Sequence, residues 1–162
     1  VLVPRTSGTP DNPRVSYTEN FFFDDLIVYK LNETGDLQWV RRIPKNQQST
    51  NDNGKFLSVA HGVTNDKVYL LFNDVRRNYD ASGRFIDGQF PFPMQFVSGN
   101  NVIAYVEMNL SDGSFVRQAR PGLAENRVTL IPSLCEFNFN TNEMILYGQR
   151  NRSHRFGYMK MR

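Results

Sequence analysis

The chain has 162 residues, 40% hydrophobic and 22% charged, enough for one ordinary domain with a sizeable core; aromatics at 13%, with thirteen Phe, favour strands. A net charge of +3 falls short of the basic footprint of a dedicated nucleic-acid binder, and no apolar stretch approaches the roughly 18 residues of a membrane span. A lone cysteine, Cys135, excludes an intrachain disulfide, and good helix formers nowhere line up at helical spacing.

Short apolar runs punctuated by turn residues predict an all-β chain. Val1-Leu2-Val3-Pro4 fits the end of a strand. Leu26–Asn32 follows, with Glu33-Thr34-Gly35-Asp36 as its turn, because Gly reaches positive φ without a steric penalty. Leu37–Ile43 returns and Pro44 stops it. Phe56–Val63 and Val68–Asn73 form a hairpin around Thr64-Asn65-Asp66-Lys67. A long connection from Asp74 to about Asn101, rich in Gly, Pro and Asn, leads to Val102–Leu110 and Ser114–Ala119, joined at Ser111-Asp112-Gly113. Val128–Phe139 and Met144–Arg150 pair around Asn140-Thr141-Asn142, and Phe156–Met161 is the final strand.

The chain repeats itself. Asn32 answers to Asn109 (109 − 32 = 77), Pro44 to Pro121 and Thr64-Asn65 to Thr141-Asn142. Such self-similarity marks an array built from one supersecondary unit. With the strands of a unit labelled A to D, the order reads B-C-D, A-B-C-D, A-B-C. The boundaries fall at residues 1–50 for a partial unit, 51–127 for a complete one and 128–162 for a partial terminal one. The C strands (L-I-V-Y-K-L-N from Leu26, I-A-Y-V-E-M-N from Ile103, F-G-Y-M-K-M from Phe156) are apolar nearly throughout, with Lys30, Glu107 and Lys160 in matching places. A strand with one wet face should alternate, so these strands are expected to be covered on both faces. Four-stranded antiparallel sheets stacked face to face do this, and a partial β-propeller is the expected architecture; a two-sheet sandwich is the alternative.

K-L-N-E-T-G-D-L-Q-W, from Lys30 to Trp39, resembles the hairpin of propeller repeats in surface and secreted proteins of Bacteroidota. It is also similar to the quinoprotein-type repeat, in which T-G-x-x-x-W docks one blade on the next. Thr34, Gly35 and Trp39 keep that spacing, while the stretch from Asn32 to Gly35 is one residue short and Val116 or Arg117 stands where the second copy would carry Trp. The resemblance implies a propeller fold, a blade-docking role for Gly35 and Trp39, and an extracytoplasmic location at the outer-membrane surface or in the periplasm. It implies no activity and no cofactor.

Two and a half blades cannot close a ring, and an open stack would expose apolar sheet faces. The remainder of a longer chain, or another protein chain, is therefore expected to cover them. The long connection gathers Arg76, Arg77, Tyr79, Phe85, Phe90, Phe92 and Phe96, a set of arginines and aromatics that could meet a partner, including a glycan. The alternative is that its phenylalanines cap the core beneath. His61 and His154 lack a second ligand at metal spacing, Cys135 lies in an apolar run, and no nucleophile elbow is present. Asn32, Asn109 and Asn151 begin N-x-[ST] sequons. The expected function is a non-enzymatic binding or scaffold module. A carbohydrate-active hydrolase propeller and a nucleic-acid-binding module using the arginine clusters are the alternatives.

Overall fold

The computed structural model describes residues 1–94, 100–120, 128–150 and 152–161. The chain is all-β, its sheets antiparallel, and among the described residues it closes neither a barrel nor a propeller ring.

The complete unit is a four-stranded meander. β6 (Ala60–Val63), β7 (Lys67–Val75), β8 (Asn101–Asn109) and β9 (Phe115–Arg120) lie side by side in chain order. Before it, β3 (Leu26–Leu31) pairs with β4 (Leu37–Ile43) in a two-stranded sheet. After it, β10 (Thr129–Leu130) and β11 (Glu136–Asn138) share one edge of β12 (Glu143–Arg150), whose other edge takes β13 (Ser153–Lys160). These are the first, middle and third sheets below.

The three sheets are stacked. Leu26, Val28, Trp39 and Ile43 of the first sheet pack with Val68, Leu70, Phe72, Ala104, Val106 and Met108 of the middle one. Tyr69, Leu71, Ile103 and Tyr105, on the opposite face of the same strands, pack with Leu130, Phe137, Met144 and Leu146 of the third. Side chains alternate across a strand, so β7 and β8 are buried on both faces, and their unbroken apolar sequence has this cause.

The outer sheets differ. β3 alternates between half-buried and exposed, with Ile27, Tyr29 and Leu31 facing outwards. β13 is exposed almost throughout, with Phe156 and Tyr158 at 79% and 77% exposure. The expectation of two-sided cover therefore holds for the C strand of the middle sheet alone.

Several boundaries need correction. Val1-Leu2-Val3-Pro4 does not end a B strand beside β3. It opens β1 (Leu2–Thr9), which pairs along its whole length with β2 (Asn12–Phe23) in an exposed hairpin. β2 continues onto β5 (Gln47–Thr50), a polar strand that no apolar run marks in the sequence. Ladder pairing in Phe56–Val63 begins only at Ala60. Val128–Phe139 is broken by a short 3-10 turn at Pro132–Leu134, because proline removes a ladder donor.

Candidate functional site

Trp39 lies between the first and middle sheets. Its indole N–H donates to the Leu110 carbonyl at 3.1 Å, where the Lys30 ammonium also donates at 3.1 Å. A Cβ on Gly113 would stand 2.8 Å from the Trp39 ring, so the β8–β9 turn must carry glycine to let the ring approach. Arg41 adds a bond to the Asp112 carbonyl at 2.6 Å. Cationic and indole donors of one sheet thus cap the turn carbonyls of the next.

Gly35 plays a different part. It has φ 89° in the exposed turn after β3, and nothing lies within 4 Å of where its Cβ would be. Its contribution is the turn itself, closed by the Asn32 Oδ1, which accepts from the Thr34 N–H, the Thr34 hydroxyl and the Asp36 N–H. Asn109 holds the corresponding β8–β9 turn through its own N–H, which donates to the Ser114 carbonyl, and its side chain, which donates to the Ser114 hydroxyl. The repeated asparagine is thus explained by the hairpin it closes. Asn151 lies outside the described residues.

Beneath the long connection lies a buried ion pair. Asp74, at the end of β7, and Arg117, on β9, are 2% and 1% exposed and bonded directly to each other. The Asp74 carboxylate also accepts from the Tyr79 hydroxyl and the Asn78 amide, each at 2.7 Å, and from the Val75 N–H at 2.8 Å. Arg117 donates further to the Tyr79 hydroxyl and to the Pro44 carbonyl, and its guanidinium lies 3.9 Å from the Phe85 ring centroid. Burial pushes the Tyr79 hydroxyl well above the usual phenol range, and the Asp74 charge adds to the effect. Both charges are paired and hydrogen-bonded, the condition under which burial of ions is tolerated.

Lys45 is nearby, almost fully buried. Its ammonium donates to the Phe23 carbonyl at 3.0 Å and to Gln47 Oε1 at 2.8 Å. Desolvation lowers its pKa to about 8, opposed by the negative charges of Asp24, Asp74 and Asp25.

The structure divides the residues of the long connection. Tyr79 and Phe85 turn inwards, their rings edge to face at 5.9 Å, and cap the core. Phe92 is held by Asn78, whose side chain bonds its N–H at 2.8 Å and its carbonyl at 3.2 Å, while Arg77 lies 4.2 Å over the Phe92 ring. Phe90 is largely exposed, as are Arg76 and Arg77. Phe96 falls outside the described residues. The surface set is therefore Arg76, Arg77, Phe90 and Phe92; the remainder of the described set anchors the loop.

His61 is exposed on β6, on the wall of a groove of about 420 Å³ that Ser133, Glu136, Phe137 and Phe139 also line. His154 stacks on Tyr147 and shares a 2.7 Å hydrogen bond with its hydroxyl. Cys135 Sγ accepts the Tyr147 N–H at 3.4 Å, and burial raises its thiol pKa, which disfavours the nucleophilic thiolate. Among the described residues, no group of three or more His, Cys, Asp or Glu could hold a metal ion. Among the same residues, no helix is long and apolar enough to cross a membrane.

Sequence reasoning missed the Asp74–Arg117–Tyr79 cluster and Lys45. The available signals were Asp74 near the end of the apolar β7 and Arg117 inside β9, but nothing local pairs them. Comparison with protein-family models, curated proteins and solved structures returned no match.

Proposed function

We propose that this chain is an arc of a β-propeller that serves as a non-enzymatic protein-binding or scaffold module in a cell-surface or periplasmic assembly. The observation that supports this reading is the stack. The middle sheet is covered on both faces, whereas the outer sheets turn Ile27, Tyr29, Phe156 and Tyr158 into solvent. Contiguous apolar faces on a soluble protein mark sites that another surface covers. The buried charges are consumed by one another, and the half-buried Cys135 thiol is held above its ordinary pKa, so the prominent exposed chemistry is that of adhesion. The surface set Arg76, Arg77, Phe90 and Phe92 offers a second contact of aromatic and guanidinium character.

Photo-crosslinking tests this. With a photoreactive residue at Tyr29, Phe156 or Phe90 of the chain in its native cell envelope, each position should yield a protein adduct. A control at exposed Glu33 in the β3–β4 turn should yield none. Absence of adducts from all three positions would overturn the reading.

A further inference from the structure

The stack has a direction. Call the face of a sheet that points along the chain, from first sheet to third, its front. The front of the first sheet (Leu26, Val28, Trp39) covers the back of the middle one (Val68, Leu70, Ala104, Val106, Met108). The front of the middle sheet (Tyr69, Leu71, Ile103, Tyr105) covers the back of the third (Met144, Leu146, Met159). Both contacts are front to back, and the repeat matches the positions on the two fronts. Leu26 corresponds to Ile103 and Val28 to Tyr105 (103 − 26 = 77), and both pairs lie on fronts.

The same correspondence identifies the open face of the first sheet. Ile27, Tyr29 and Leu31 occupy the places of Ala104, Val106 and Met108, which the first sheet buries. They form a back without a front. At the other end the faces follow from packing: Met144, Leu146 and Met159 turn toward the middle sheet, so Ile145 and Tyr147, with their ladder partners Tyr158 and Phe156, face the opposite way. They form a front without a back. Tyr147 and Phe156 already pack edge to face at 4.8 Å, giving that front a preformed aromatic surface.

We propose that the chain stacks head to tail on a second copy of itself, the front of the third sheet of one copy covering the back of the first sheet of the next. The proposal rests on the stacked-sheet reading above and names the occupant. One molecule carries both halves of a contact that it already makes twice internally, so the open faces continue an existing interface. A contact of this heterologous kind closes into a ring or propagates, whereas pairing of like faces would stop at a dimer.

Charge variants on each open face separate the outcomes. Tyr29→Glu disables the back and Phe156→Glu the front; both side chains are exposed, so the fold should survive, as circular dichroism would show. In sedimentation, the wild type should exceed 18.7 kDa increasingly with concentration. Each variant alone should remain monomeric, with self-association weakened about tenfold or more. An equimolar mixture should form a one-to-one pair and nothing larger, since one intact front meets one intact back. Ile27→Glu and Tyr158→Glu should behave as Tyr29→Glu and Phe156→Glu do. A wild type that stays at 18.7 kDa, self-association by a single variant, or a mixture of folded variants that forms no pair would each overturn the proposal. Adducts to a different protein with a monomeric wild type would leave the scaffold reading standing while removing this one.

Discussion

Asp74 and Arg117 meet where water cannot screen them, and each charge depends on the other for its solvation. Removing one partner leaves an uncompensated buried charge, so Asp74→Ala should cost about 3–5 kcal/mol in urea unfolding. Tyr79→Phe, which removes one hydrogen bond from a network that keeps its ion pair, should cost about 1–3 kcal/mol. Lys45 makes a pH-dependent contribution. Its folded pKa of about 8 lies below the ordinary lysine value of 10.5, so between these values the unfolded chain binds more protons and folding stability rises with pH. Relative to Lys45→Met, the wild type should gain roughly 2–3 kcal/mol between pH 7 and pH 11. A flat difference across denaturation curves at several pH values would mean that Lys45 is not held as a desolvated ammonium. Little of this was legible in sequence, because Arg117 reaches partners 38 and 43 residues away. The asparagines at 32 and 109 were legible as a repeat, because each acts within five residues of itself.

At the scale of elements, the hairpins inside the stack and the hairpin outside it should behave differently. β7 and β8 are bonded along both edges and buried on both faces, whereas β1 and β2 form a two-stranded arm with every residue of β1 exposed. A two-stranded hairpin alone is marginal in water. Amide hydrogen exchange should therefore be slowest in β7 and β8 and fastest toward the β1–β2 tip, with the opposite order as the failing result. The contact between first and middle sheets has its own reporter, since Trp39 is the sole tryptophan. Gly113→Val should drive the indole outwards, red-shift its emission and cost roughly 1–3 kcal/mol through overpacking. Unchanged emission would mean that the ring does not lie on that turn. The middle meander was readable from apolar runs and turn residues. The β1–β2 arm was not, because Pro4, Gly8, Pro10 and Pro13 argue for irregular chain, and such residues are tolerated only in an exposed edge arm of this kind.

For the whole molecule, the greasy character of the C strands predicted cover on both faces, and the structure provides it once. The first and third sheets carry the same apolar pattern and meet solvent, which is why the sequence could not show where the stack stops. Hydroxyl-radical footprinting of the isolated chain, held dilute, reads this arrangement through its tyrosines. Tyr17, Tyr29 and Tyr158 are exposed, and Tyr69, Tyr79 and Tyr105 are buried in or beside the middle sheet. The stack predicts rapid oxidation of Tyr29 and Tyr158, comparable to Tyr17, and far slower oxidation of Tyr69, Tyr79 and Tyr105. Equal reactivity of Tyr29 and Tyr105, which occupy opposite faces of equivalent strands, would contradict it.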